Sequence, residues 1–139
     1  MTVTTQALEF ATRGNGDTRD ITPDVAAAVT SSGLRDGIVA LFVVGSTAGL
    51  TTIEYEPGAV ADFSAALERM APRDIDYEHQ LRWHDDNGHS HVRAALLGPS
   101  LVVPFSGGSL ALGTWQQIVL VDFDTRPRKR QVVAQLIGE

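Results

Sequence analysis

The sequence predicts an α+β fold: a compact, mainly antiparallel β-sheet domain with a few helices. Three observations carry this. Segments with strand character outnumber segments with helical periodicity, and many of the connections are hairpin-length. The third is that no repeat, linker or low-complexity stretch interrupts the 139 residues, so the chain reads as one domain spanning 1–139. A hydrophobic content of 43% against 20% charged residues is enough for a real core and too apolar for disorder.

The elements follow in order. Val3, Ala7, Leu8 and Phe10 lie in a Thr-rich first strand, and Gly14-Asn-Gly-Asp17 supplies turn chemistry, after which Thr18 to Ile21 is expected to pair back as a hairpin. Thr22-Pro23-Asp24 starts a helix, with Thr22 as cap and Pro at the first position, and the helix stops near Gly33. The continuous apolar run Ile38 to Val44 predicts a strand buried on both faces. Leu50 to Tyr55 is a more polar strand after the small, hydroxylated Gly45-to-Gly49 loop. From Gly58, Val60, Phe63, Leu67 and Met70 recur at helical spacing until Pro72. Arg73 to Asn87 shows no clear pattern. A short helix capped by Ser90 then carries His91, Ala94, Ala95 and Leu97 and closes at Gly98. Ser100 to Pro104, a Gly107-Gly108 turn, Leu110 to Leu112, Ile118 to Phe123 and Gln131 to Ile137 complete the strands.

Charge and cysteine content narrow the function. The formal net charge is −6, which repels nucleic acid and anionic membrane, and the one basic run, Arg126 to Arg130, reads as a solvated strand end. The absence of cysteine excludes disulfides, thiolate metal sites and cysteine nucleophiles, and fits a reducing cytoplasm. The start has neither a basic n-region nor an apolar h-region, and no apolar run approaches the ~20 residues a membrane span requires. A soluble cytoplasmic domain is therefore expected, with neither nucleic acid nor membrane as partner.

All four histidines, His79, His84, His89 and His91, crowd into thirteen residues. Neutral imidazole is the commonest metal ligand and the natural proton carrier near neutral pH, so the cluster suits either a metal site or acid–base work. The alternative is a surface loop whose histidines do nothing. His89 and His91 stand two apart, so on one helix they face different directions.

Around this cluster stands a series of short motifs: Tyr77-Glu-His79, Asn87-x-x-x-His91, Leu97-Gly-x-Ser100, Pro104 and Leu112-Gly-Thr-Trp-Gln116. Ser46-Thr-Ala-Gly-Leu-Thr51 with Glu54 precedes it, and Asp124 with Pro127-Arg128-x-Arg130 follows it. Taken together, their order resembles the YjbQ-like family, also called the secondary thiamine-phosphate synthase family. The resemblance is good over residues 37–139 and only in outline before that. It implies a compact α+β fold assembled as a homotrimer with sites near subunit boundaries. It implies a cytoplasmic protein with weak thiamine-phosphate synthase activity, joining pyrimidine diphosphate and thiazole phosphate precursors. It also implies a three-histidine site able to hold a divalent metal such as zinc or magnesium; no other cofactor is expected.

Two of the three histidines carry over, as His79 and His91, which are candidates both for catalysis and for metal binding. Where the family has the third, this chain has Gly45, and the family's Asn-Glu-Asn becomes Ile53-Glu-Tyr55. A catalytic zinc typically takes three protein ligands, so a third would have to come from Glu54, His84, His89 or a neighbouring subunit. Glu54 retains the acidic position and is a candidate ligand or base. Ser46 and Thr47 offer hydroxyls to a phosphate, Arg128 and Arg130 suit a diphosphate through bidentate contacts, and Thr114 and Gln116 are candidates for lining the pocket. Trp115 reads as a core or interface aromatic.

Three functions share these residues. One is an enzyme of the thiamine-phosphate synthase type acting on a phosphorylated small molecule. Another is a trimeric binding or structural relative that has lost the chemistry, as Gly45, Ile53 and Tyr55 suggest. The last is metal-assisted hydrolysis of an unrelated ester.

Overall fold

Every strand pairing in the computed structural model, which describes residues 1–139, is antiparallel, and the eight strands form two sheets. The larger sheet has the order β1 (Thr2–Thr12), β8 (Arg128–Gly138), β3 (Gly37–Val44), β5 (Ser100–Ser106), β6 (Ser109–Leu110). The smaller runs β2 (Asp17–Asp20), β7 (Gln117–Asp122), β4 (Ala48–Ile53). Four helices join them: α1 (Thr22–Ser32), α2 (Pro57–Met70), α3 (Glu78–Trp83) and α4 (Gly88–Leu97). The α+β, mainly antiparallel architecture read from the sequence is the one observed.

Two apolar clusters define the layers. The inward side chains Val39, Leu41, Val43, Val132, Ala134 and Leu136 of the larger sheet meet Leu50, Ile118 and Leu120 of the smaller one, with Val25 and Val29 of α1 closing one end. The other face of the smaller sheet, through Val119, Val121 and Phe123, packs on Leu67 of α2 and Ala94 of α4. The order is therefore sheet, sheet, helices. β7 lies in the middle and is buried on both faces.

That corrects one expectation. The apolar run of β3 alternates: Val39, Leu41 and Val43 are buried, while Ile38, Phe42 and Val44 are exposed. Each alternate residue of a strand must face the opposite way, so a run apolar throughout leaves apolar side chains outside when only one face is covered. Ile38 and Phe42 thereby join Val3 and Val102 on an open apolar face of the larger sheet.

The hairpin expected after Gly14-Asn-Gly does not form. Gly14, Asn15 and Gly16 all take positive φ, and the turn directs β2 out of the first sheet to pair with β7 of the second. Caps differ too. Thr22 opens α1 without capping it, its hydroxyl accepting the N–H of Ile118 at 2.8 Å. Asn87 precedes α4, and Ser90 lies inside it, donating to the carbonyl of Phe123. The unpatterned Arg73-to-Asn87 stretch contains α3, too short to show a period. β4 begins two residues earlier than expected and includes Gly49, where a Cβ would lie 2.8 Å from Leu97 Cδ2 and 2.9 Å from the Gly98 carbonyl oxygen. The missing side chain lets the end of α4 lie directly on β4.

Candidate functional site

A cleft of about 400 Å³ opens where the start of β4, the end of β7, the start of β8 and helices α3 and α4 converge. Its walls carry His79 and Trp83 from α3, His91 from α4, and Asp85 and Asn87 from the loop between them. Gly45, Ser46 and Thr47 form one rim, and Asp124, Arg128 and Arg130 line the rest. Trp83 is the only hydrophobic residue among them. Such a lining suits a charged, hydrated ligand rather than an apolar one.

The base of the cleft is a buried ion network. Asp122 is 0% exposed and Arg130 7% exposed, and the guanidinium grips the carboxylate with Nε on Oδ2 at 2.7 Å and Nη2 on Oδ1 at 2.8 Å. The Thr12 hydroxyl adds a bond to Asp122 at 2.5 Å, and Arg130 Nη2 also donates to Thr47 Oγ1 at 2.6 Å. Burial opposes the charge on Asp122, but these donors outweigh it and lower its pKa. Asp124 accepts from Thr47 Oγ1 at 3.1 Å, Arg128 Nε at 2.9 Å and the Thr125 N–H at 2.8 Å. Burial again works against ionisation, yet the Thr125 N–H and the Arg128 guanidinium carry its pKa down to about 2. The spacing generates this network. Asp122 and Asp124 stand two apart, as do Arg128 and Arg130, and the β7–β8 connection folds one pair onto the other.

Above it, the imidazoles of His79 and His91 face one another with ring centroids 4.4 Å apart, tilted by 58°. His79 Nε2 lies 3.4 Å from Asp85 Oδ1. The Asn87 amide nitrogen reaches Asp124 Oδ1 at 3.4 Å in one orientation; turned over, it reaches His79 Nε2 at 3.2 Å and Asp85 Oδ1 at 2.9 Å. The second makes the shorter bonds and requires His79 Nε2 to be an acceptor, with the proton on Nδ1. A protonated ring would donate to Asp85 instead. The orientation of Asn87 is thus coupled to where His79 carries its proton.

The remaining histidines are apart from this pair. His84 ends α3 in the left-handed conformation and is exposed. His89 is 3% exposed, packs near Tyr77, and has a buried Nδ1 with no partner. Burial first, then Arg93 and Arg73, lower its pKa and hold it neutral.

The candidate residues therefore divide. Ser46, Thr47, His79, His91, Arg128 and Arg130 come together in the cleft. Glu54 and Thr114 do not; with Tyr55, Glu56 and Trp115 they line a second pocket at the far end of β4 and β7. The six residues of β4 separate the two ends by about 17 Å at the usual strand rise. Gln116 lies at that far end also, bonded to Thr52 Oγ1 at 3.1 Å. Trp115 is no core aromatic: it is 72% exposed. Sequence reasoning singled out neither Asp85 nor Trp83. The Asp85-Asp86-Asn87 run between two histidines was the available signal for Asp85; an exposed Trp on a six-residue helix gives none.

The metal implied by the family resemblance finds an incomplete donor set. No three His, Asp or Glu side chains are arranged to close around an ion. The place of a third histidine is Gly45, where a Cβ would fall 2.7 Å from Arg130 Nη1. A guanidinium nitrogen therefore lies against the point from which a third ligand's side chain would start.

Comparisons with known proteins agree with this architecture. A protein of Methanothermobacter thermautotrophicus, called only a UPF0047 protein, is 38% identical over 139 residues, covering 100% of this chain and 95% of its own. A UPF0047 protein of Mycobacterium bovis is 41% identical over 115 residues, 81% of this chain and 85% of its own. The crystal structure of a YbjQ-like protein of unknown function from Sulfolobus solfataricus superposes with a TM-score of 0.94 at 33% identity, covering 99% of both chains. A hypothetical protein from Aeropyrum pernix gives 0.90 at 29% identity, covering 98% of this chain and 99% of its own. The family described as UPF0047 protein YjbQ-like matches residues 6–139, and this chain belongs to it.

Proposed function

We propose that the cleft binds a phosphorylated small molecule and carries a weak transfer of the thiamine-phosphate synthase type, joining a pyrimidine diphosphate to a thiazole phosphate. In that step the thiazole nitrogen forms a bond to the pyrimidine methylene carbon. The bond from that carbon to the diphosphate oxygen breaks, and its electron pair leaves with the pyrophosphate. No oxidant or reductant enters. The protein's task is to hold the diphosphate and to meet the charge that grows on it.

The observation that carries this reading is the apposition of His79 and His91, 4.4 Å between centroids, above a polar cleft lined by Arg128 and Arg130. Guanidinium groups match phosphate oxygens, and an imidazole can deliver a proton to the departing oxygen. Because three ligands do not converge on a metal, the reading assigns the leaving group's charge to these side chains and not to a protein-held ion. Glu54, Thr114 and Gln116 lie too far along β4 to act in the same subunit's cleft. They could take part only from another copy, and a homotrimer with sites near subunit boundaries is the assembly proposed. The open apolar face of the larger sheet, with Phe42, Ile38 and Val102 exposed, supports such an assembly. A cytoplasmic location goes with the same reading, supported by the absence of cysteine; no helix is long and apolar enough to cross a membrane.

The test is direct. Purified protein is incubated with both precursors, with and without magnesium, and thiamine phosphate is measured. Product above that of a His79→Ala, His91→Ala double variant is expected. Equal yields from the two proteins would refute the transfer and leave the second reading, a binding or structural relative, for which the incomplete donor set at Gly45 already speaks.

A further inference from the structure

Arg130 is almost wholly buried, yet one edge of its guanidinium is unused. Nε and Nη2 are committed to Asp122 and Thr47, while Nη1 makes no hydrogen bond within the chain. That nitrogen is aimed at the one position on the rim with no side chain. A Cβ built on Gly45 would lie 2.7 Å from Nη1, which real Cβ contacts do not tolerate. Gly45 also takes φ of +148°, a backbone conformation that L side chains rarely adopt. The result is a notch in the cleft wall whose inner end is a cationic N–H group; Ser46, His91 and Arg128 line the same cleft.

An unpartnered N–H donor on a permanent cation, open to the cleft and held by a bidentate carboxylate, is matched best by an anionic oxygen. The carboxylates below cannot serve, because Asp122 and Asp124 are already engaged by Arg130, Arg128 and Thr47. A tetrahedral oxyanion can place one oxygen on Nη1 and still turn others towards the hydroxyls and imidazoles that line the cleft, which a planar carboxylate does less well.

We propose that Gly45 is a specificity-determining aperture: an oxyanion of the phosphate class seats in this notch, with one oxygen on Arg130 Nη1 in the space a side chain at position 45 would fill. The proposal rests on the reading of the cleft as a site for phosphorylated molecules and adds which atoms recognise the phosphate and which residue controls access. Substitution at position 45 then selects between a free guanidinium edge and a closed one.

Nuclear magnetic resonance of isotopically labelled full-length protein tests this without dependence on activity. Inorganic phosphate and phenyl phosphate are titrated separately at constant ionic strength, with chloride as the control. Saturable shifts of the Arg130 side-chain N–H and the Gly45 amide are expected with either probe and not with chloride. A tighter fit of phenyl phosphate assigns the site to the phosphate group of a larger ligand; equal affinity assigns it to free phosphate. In Gly45→Ala, loss of the charge-assisted bond is expected to weaken binding about tenfold or more. Should that variant fail to fold, the wild-type titration still decides. Shifts confined to Arg126, Arg128 and Lys129, or non-saturating shifts, overturn the proposal, as does unchanged affinity in a folded Gly45→Ala protein. Phosphate binding without thiamine phosphate formation would refute the transfer and not the aperture; product without shifts at Arg130 would do the reverse.

Discussion

Replacing Arg130 with methionine should be the most damaging single change near the cleft, and its cost can be worked out from the network beneath. The substitution keeps an unbranched apolar stem but strips Asp122, 0% exposed, of both guanidinium bonds, at 2.7 and 2.8 Å. Breaking a buried ion pair from one side costs about 3–5 kcal/mol. Asp122 retains the Thr12 hydroxyl at 2.5 Å and the Asp124 N–H at 3.0 Å, which places the loss at the lower end, about 3 kcal/mol. Adding Asp122→Asn removes the stranded charge, so the double variant should recover about 2 kcal/mol relative to additivity. Urea unfolding followed by circular dichroism measures all four corners of the cycle. The pH dependence supplies an independent check. In the wild type, burial raises the pKa of Asp122 but its donors lower it further, so its contribution is present at neutral pH and disappears in acid. Without Arg130, burial dominates and the folded-state pKa rises above the unfolded one. The penalty is then full at neutral pH and relieved as pH falls through the raised value, so the gap between Arg130→Met and wild type should narrow on acidification. A gap that is constant from pH 7 to 4, together with additive single variants, would refute the reasoning.

Other expectations follow from the same geometry. Asp124, lowered from 3.8 to about 2, contributes about 2 kcal/mol that is present above pH 4 and lost as pH falls towards 2. Asp124→Asn should lack that acid loss in urea unfolding at stepped pH, and an unchanged acid slope would contradict the assignment. His89 has a lowered pKa, so the unfolded chain takes up a proton before the folded one and stability should fall as pH drops below the unfolded value of 6.5. His89→Leu should blunt that fall while removing the unpartnered Nδ1; ring resonances of His89 that titrate in step with free histidine would show the account to be mistaken. Phe42→Glu with Val102→Glu, on the open face of the larger sheet, should leave a folded monomer by light scattering if that face joins copies of the chain. A mass identical to that of the wild type would place the interface elsewhere.

Much of the fold was legible from local signals. α1 and β3 fall where the Pro23 start, the Gly33 stop and the Ile38-to-Val44 run put them, because caps, turns and apolar runs act over a few residues. α3 escaped because six residues give less than two turns of period. Ser90 misled because its hydroxyl bonds to Phe123, a partner 33 residues away that no local pattern reveals. Of the site, the histidine pair and the two arginines were readable as motifs. Neither the free edge of Arg130 nor its contact with the place of Gly45's absent side chain was, since both depend on how β8 lies against the turn before β4.

The sequence by itself determined the mainly antiparallel α+β class and much of the chemistry available to the cleft: two imidazoles, two guanidiniums and the hydroxyls of Ser46 and Thr47. Only the tertiary structure decided which of these groups meet. β4 and β7 pair antiparallel, Ala48 opposite Asp122 and Ile53 opposite Gln117. Residues before β4 must then meet residues after β7, which brings Gly45, Ser46 and Thr47 to Asp124 and the arginines. By the same register, residues after β4 meet residues before β7, which sends Glu54 to Thr114 and Trp115 at the opposite end. Glu54 is only seven residues from Thr47, but along an extended strand each residue adds about 3.3 Å of distance, and that geometry divides one run of motifs between two places.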